Sequence, residues 1–173
     1  LLPWLRDRVF PEEEQFSSVE YAEKVALHFS DSIAAAGTTH GLVYGSVHWR
    51  ATDALFRVLS GRGQQAVAGP VLMDHGGPPA LMVSVEEALV GIERLHQQWH
   101  GADDGRMGVA VVPRFALSCS REMLVAAGRF AADRGLLVTT HLAENLEECA
   151  DACRRFSTSD YLSIYEEAGL VSE

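Results

Sequence analysis

Short apolar runs alternate with longer amphipathic segments along the chain. Four runs with β-branched residues predict strands, at residues 41–47, 65–73, 107–113 and 136–141. Each run is followed by a segment with helical periodicity, and these segments predict helices at residues 51–60, 84–100, 120–134 and 145–156. Repeated strand–helix units of this kind predict parallel strands with right-handed connections.

A further helix is predicted before the first strand. Ser17 and Glu20 form the Ser-x-x-Glu pattern of a capping box, and apolar residues at helical spacing run from Ala22 to Ile33. Gly37 then supplies a C-terminal stop.

The strand pattern restricts the fold class. The predicted strands are continuously apolar, which indicates a sheet covered on both faces, as in a barrel or a doubly wound sheet. No G-x-G-x-x-G follows the first strand, and polar residues crowd the ends of the later strands, where barrel enzymes place their sites. We therefore predict an α/β fold, a partial (β/α)8 TIM-type barrel of about four βα units. Because a whole barrel needs about 250 residues, we expect residues 1–173 to form a single partial domain, the central part of a longer protein.

Composition excludes several classes of partner. The chain has 24 acidic and 14 basic residues, and its net charge of -10 disfavours contact with nucleic-acid backbones. The three cysteines form an odd set that fits a reducing compartment. No apolar run approaches the roughly 20 residues that cross a bilayer. We expect a cytoplasmic protein that binds neither nucleic acid nor membrane.

His141 and Glu144 are the strongest candidates for chemistry. His141 closes the fourth predicted strand, where a barrel directs ligands toward its axis, and Glu144 follows three residues later. A carboxylate beside a metal-bound water, able to take its proton and later deliver it, is what activation of that water requires. The alternative is an interior, hydrogen-bonded His141 and a Glu144 that caps the following helix.

Arg114 and Phe115 follow the third predicted strand. The guanidinium could hold a carbonyl or carboxylate of a ligand, and the ring could face a planar base. The alternative is an arginine paired with a nearby acid and a phenylalanine in the core. Cys149 and Cys153 lie four residues apart, but without a paired-cysteine zinc pattern they are interpreted as small core residues.

Seven motifs, in their order and spacing, resemble those of guanine deaminases in the amidohydrolase superfamily, and the resemblance covers essentially the whole chain. The motifs are Pro3-Trp4-Leu5, Phe10-Pro11-x-Glu13, Gly37-Thr38-Thr39, Asp53-Ala54-Leu55-Phe56, Val71-Leu72-Met73-Asp74, Pro113-Arg114-Phe115-Ala116-Leu117-Ser118-Cys119-Ser120 and Thr140-His141-Leu142-Ala143-Glu144-Asn145. Pro-Arg-Phe followed by Ser-Cys-Ser is the more specific signature. Thr-His-x-x-Glu is shared by many relatives that act on other rings.

The resemblance implies a role for each matching residue. His141 would be a zinc ligand, Glu144 the catalytic proton shuttle, and Arg114 and Phe115 would bind the purine, with His141 and Glu144 also contacting it. The full-length enzyme would hold one Zn²⁺ per subunit, form a homodimer, and convert guanine to xanthine and ammonia. The remaining ligands, a His-x-His pair and a later histidine and aspartate, would lie outside this chain. Since catalytic zinc generally takes three protein ligands, the 173 residues alone are expected to be inactive.

Two other functions stay open. One is an aminohydrolase or chlorohydrolase of the same superfamily that acts on a different ring. The other is a non-catalytic barrel protein without its metal. The H-x-E and P-C-x-x-C signature of the cytidine deaminases is absent from the sequence, which disfavours that class.

Overall fold

A parallel sheet organises the chain, of which the computed structural model describes residues 2–171. Its strands are β1 (His40–Tyr44), β2 (Gln65–Gly69), β3 (Val71–Leu72), β4 (Met107–Pro113) and β5 (Leu137–Val138). β1 pairs with β2, β2 and β3 both pair with β4, and β4 pairs with β5, all in parallel. Because β2 and β3 together occupy one position between β1 and β4, the strands lie side by side in chain order, as in a barrel, without the reversal of order that a doubly wound sheet contains. The predicted α/β class and parallel topology are confirmed.

The strand predicted over residues 65–73 is divided in two. Pro70 separates β2 from β3 and cannot donate a ladder hydrogen bond, because it has no N–H group. The first and last predicted strands are also shorter in the structure, ending at Tyr44 and Val138. Single hydrogen bonds continue beyond both ends, from Gly45 to Gly69 and from Thr139 to Val111. Both strands were therefore predicted too long, because the sequence pattern continues past the last regularly paired residue of each strand.

Within residues 2–171, six α-helices of five or more residues flank the strands: α1 (Val19–Ala35), α2 (Trp49–Gly61), α3 (Val85–Trp99), α4 (Arg121–Arg134), α5 (Leu146–Phe156) and α6 (Ser163–Glu167). Polar side chains fix four of the starts, at Ser18 for α1 and at three later helices. Ser84 forms a capping box with Glu87, Ser120 accepts from the amide of Met123, and Asn145 accepts from the amide of Glu148.

The capping box predicted at Ser17 is wrong. Ser17 closes a preceding 3-10 turn, and its hydroxyl donates to the carbonyl of Glu14 at 2.9 Å. Ser18 has the extended backbone of an N-cap and accepts from the amide of Tyr21 at 3.2 Å. Residues 2–17 form what we call the N-terminal arm, a series of short helical pieces at Leu2–Trp4, Leu5–Val9, Phe10–Glu13 and Glu14–Ser17.

Both faces of the sheet are covered. Val109 and Val111 of β4 pack in the main cluster with the flanking helices, whereas Ala110 and Val112 pack in a second cluster that includes Phe10 of the N-terminal arm. This double burial explains why the strand sequences are continuously apolar. The outer strands differ, because Leu42 on β1 and Leu137 on β5 are 56% and 62% exposed. Among the described residues, no helix combines the length and apolar character needed to cross a bilayer.

Candidate functional site

A cleft of about 560 Å³ runs from the carboxyl ends of the strands along α1, α2 and the N-terminal arm, and we call it the candidate cleft. At the strand ends it is lined by Tyr44, the last residue of β1, by Arg114 after β4 and by His141 after β5. Glu13 of the N-terminal arm closes one side. The volume suits a small organic molecule, and the position is where barrel enzymes gather their sites.

His141 is accessible and oriented by its neighbours. Its Nδ1 lies 3.2 Å from the carbonyl oxygen of Arg114, and its backbone amide donates to the same oxygen at 3.2 Å. A carbonyl can only accept, so Nδ1 carries the proton and Nε2 keeps its lone pair. The ring also packs against Tyr44, with centroids 4.6 Å apart, and the Tyr44 hydroxyl bonds to Thr139 at 2.8 Å. His141 is therefore exposed rather than interior, and its role as a metal ligand stays a prediction.

Glu144 lies on an exposed turn and is not among the residues that line the candidate cleft. Ala143, just before it, has a positive φ of 51°, a conformation that turns the chain sharply. Asn145, and not Glu144, caps α5 by accepting from Glu148 at 2.9 Å. The helix-capping alternative for Glu144 is therefore wrong, and its role as a proton shuttle stays a prediction.

Arg114 is buried at the edge of the candidate cleft. Its Nη1 donates to Oε2 of Glu13 at 2.6 Å, and the guanidinium carbon lies 5.2 Å from the ring centroid of Phe10. The alternative of an arginine paired with an acid is thus present in the structure, and the same side chain also lines the cleft.

Phe115 lies elsewhere. Its backbone is extended, with φ at -178°, so its side chain points away from that of Arg114. The ring is buried in the second cluster and lines a separate cleft beside Phe10 and His75. The structure therefore brings together His141 and Arg114, and it places Glu144 and Phe115 outside the candidate cleft.

A hydrogen-bonded network supports the turn that carries Glu144. The Tyr161 hydroxyl donates to Oε1 of buried Glu148 at 2.6 Å and accepts from the amide of Ala143 at 3.3 Å. It also lies 3.1 Å from the hydroxyl of Tyr165, which accepts from the amide of Ala116 at 2.9 Å. Burial, and then the bond to Glu148, raise the pKa of Tyr161. Tyr161 therefore stays protonated and joins the loop after β5 to the loop after β4.

Sequence reasoning gave no role in this site to Glu13, Tyr44 or Tyr161. Each acts through a partner far away in sequence, as with Glu13 and Arg114, which are 101 residues apart. Two signals were present in the sequence, since Glu13 belongs to the motif Phe10-Pro11-x-Glu13 and Tyr44 ends a strand of otherwise smaller residues.

Metal ligands are incomplete within residues 2–171, where no group of three or more His, Cys, Asp or Glu side chains could hold an ion. His141 offers one suitable nitrogen, and catalytic zinc generally takes three protein ligands. The candidate pair Cys149 and Cys153 is partly buried and without a disulfide.

Comparison with known proteins places the chain among hydrolases. A model of the amidohydrolase family matches residues 1–172. The guanine deaminase of Escherichia coli K12 is 34% identical over 100% of this chain, and the probable guanine deaminase of Deinococcus radiodurans is 37% identical over 99% of it. The chain spans only 39% of the length of each of these relatives.

A solved structure shows the same arrangement of elements. Guanine deaminase from C. acetobutylicum, with guanine bound in its active site, superposes with a TM-score of 0.94 at 31% identity. The match covers 98% of this chain and 41% of that one.

Proposed function

Because the chain belongs to the amidohydrolase family, we propose that the whole protein hydrolyses guanine to xanthine and ammonia, with a metal-activated water as the nucleophile. The observation that carries this proposal is the meeting of the Arg114 guanidinium and the His141 imidazole in one cleft at the strand ends. The likeness to several guanine deaminases supports guanine over other rings.

The chain's residues fit a share of a zinc site. His141 would hold the ion through Nε2, the nitrogen left unprotonated by its bond to the Arg114 carbonyl. When bound, zinc lowers the pKa of a coordinated water toward about 7, which supplies hydroxide near neutral pH. One Zn²⁺ per subunit, a homodimer and a cytoplasmic location are proposals that rest on the family resemblance.

Arg114 would orient the substrate. Its donors suit the carbonyl oxygen of the purine, and holding that oxygen turns the amino-bearing carbon of the ring toward His141. Glu144 would take one proton of the attacking water and deliver it to a ring nitrogen as the C–O bond forms. It would then move the second proton, from the added hydroxyl, to the amino nitrogen, which leaves as ammonia when the C–N bond breaks and the new carbonyl forms. Its side chain makes no ion pair within residues 2–171, and the exposed turn leaves the carboxylate accessible. Phe115 as a purine contact also stays a proposal.

The test is an assay of the whole protein for xanthine and ammonia from guanine. His141→Ala should lose both metal, measured by elemental analysis, and activity. Glu144→Gln should keep the metal but lower kcat by about 10²- to 10⁴-fold, because it removes the proton carrier. Glu147→Gln, an exposed glutamate three positions later, is the matched control and should leave kcat unchanged.

Other outcomes would decide against the proposal. A wild-type protein that neither binds metal nor produces xanthine would favour a non-catalytic barrel. Unchanged selectivity for guanine in Arg114→Ala would favour a deaminase or chlorohydrolase of another ring. The 173-residue chain assayed alone should produce no ammonia, since residues 2–171 contain no group of side chains that completes a zinc site with His141.

A further inference from the structure

Glu13 and Arg114 form a buried ion pair between distant parts of the chain. Glu13 ends the helical piece Phe10–Glu13 of the N-terminal arm, and Arg114 follows β4 directly. The joined atoms, Oε2 and Nη1, are 2.6 Å apart, and each side chain is only 10% exposed. The contact therefore fastens the N-terminal arm to the edge of the candidate cleft at one charged point.

This pair is poorly built for stability alone. Moving two charges out of water costs free energy that their attraction often does not recover. The cost is higher here because the second carboxylate oxygen of Glu13, Oε1, is buried without a hydrogen-bond partner among the described residues. A feature that is costly for folding and lies against a candidate site is better explained by orientation of the arginine.

Two side chains of one short helical piece contact the guanidinium of Arg114. Phe10 and Glu13 are three residues apart on one helical piece, so their side chains project from the same face. Pro11 at the first turn of that piece suits the fixed φ of proline. The ring of Phe10 and the carboxylate of Glu13 thus contact the guanidinium from one element. Because Glu13 fixes Nη1, the plane of the Arg114 guanidinium is also fixed. Its other N–H groups are then available to donate to a ligand in the candidate cleft.

We propose that Glu13 is a positioning residue that acts through Arg114 and sets the preference of the enzyme for a ring with a carbonyl group. On this view, the function of the motif Phe10-Pro11-x-Glu13 is to orient the guanidinium of Arg114, which lies 101 residues after Glu13 in the chain. This inference rests on the proposed guanine hydrolysis, because it concerns which edge of the purine Arg114 recognises.

The first test is kinetic and uses the whole metal-loaded protein. Glu13→Gln should lower kcat/KM for guanine by about 10- to 100-fold, the size of loss expected when a substrate-holding group is misplaced. The inhibition constant of 2-aminopurine, which lacks the carbonyl oxygen, should change by less than about 3-fold, since Arg114 has no oxygen to hold. Glu14→Gln, an exposed neighbour without a hydrogen-bonded side chain, is the matched control and should alter neither value.

A double-mutant cycle separates positioning from a general folding defect. If Glu13 acts through Arg114, Glu13→Gln should have no further effect on guanine kinetics in an Arg114→Ala background. Equal losses with and without Arg114, or equal losses for guanine and 2-aminopurine, would overturn the proposal. Removing both partners also avoids leaving one buried charge unpaired.

A spectroscopic measurement distinguishes this inference from the proposed function. In protein labelled with ¹⁵N-arginine, the Arg114 side chain should give resolved, slowly exchanging Nη–H resonances that collapse in Glu13→Gln and persist in Glu14→Gln. Unchanged resonances in Glu13→Gln would refute the positioning role whatever the enzyme acts on. If the wild type does not convert guanine but the resonances still collapse in Glu13→Gln, then guanine is not the substrate and the preference for a carbonyl-bearing ring is refuted. The fixing of the Arg114 guanidinium by Glu13 would still be established.

Discussion

Substitution of Tyr161 by phenylalanine removes a single hydroxyl group with three partners. That hydroxyl donates to Glu148 at 2.6 Å, accepts from the amide of Ala143 and lies 3.1 Å from the hydroxyl of Tyr165. Glu148 is only 2% exposed, so water cannot readily replace the lost donor. A hydrogen bond to a charged group contributes about 1.5–3 kcal/mol, and we expect Tyr161→Phe to lower the free energy of unfolding by about 2–3 kcal/mol.

Urea unfolding of the whole protein, followed by circular dichroism, measures this loss. Hydrogen exchange analysed by mass spectrometry should also show faster exchange in peptides that contain Ala143, because its amide loses its acceptor. Tyr21→Phe is the matched control, since it removes a tyrosine–glutamate hydrogen bond at an exposed position, and its effect should be much smaller. If the two substitutions cost the same, the network around Glu148 does not stabilise the site as described.

Three further predictions concern titration, reactivity and packing. Burial lowers the pKa of His48 from its usual 6.5, against an opposing effect of Glu13, so the native state resists its protonation. The contribution of His48 to the free energy of unfolding should be fully present above pH 6.5 and should fall as the pH drops below that value. Urea unfolding at pH 7.5 and 5.5 should therefore show a smaller difference in the free energy of unfolding for His48→Gln than for the wild type. Burial, and then Asp74, raise the pKa of Cys119 to about 12, so alkylation at pH 8 should spare it until the protein is unfolded. A side chain at Gly128 would meet the carbonyl oxygen of Ala168 at 2.1 Å, and Gly128→Ala should cost about 1–3 kcal/mol or more in thermal unfolding. Gly61→Ala, with open space around it, should cost little, and equal effects of the two alanines would contradict this packing.

Local signals in the sequence predicted the fold well. β4 matches its predicted bounds because its apolar run is unbroken and buried on both faces. The starts of the helices that follow Ser84 and Ser120 were recognisable because their caps are local interactions. At Pro70 the apolar pattern continues although the hydrogen bonding is interrupted, so two strands were predicted as one.

The site was harder to predict, because its geometry depends on contacts that no local pattern records. The pair of Glu13 and Arg114 forms only when the N-terminal arm folds over the end of β4. The exposed position of Glu144 depends on the positive φ of Ala143, a conformation that an alanine does not signal. The separation of Arg114 from Phe115 follows from the alternation of side chains in extended backbone, which adjacency in sequence conceals.

The most direct measurement is a crystal structure of the whole protein with guanine and anomalous scattering at the zinc edge. We expect a zinc peak about 2.0–2.1 Å from Nε2 of His141, with a guanidinium nitrogen of Arg114 within hydrogen-bond distance of the purine carbonyl oxygen. A metal bound away from His141, or a purine seated out of reach of Arg114, would contradict it.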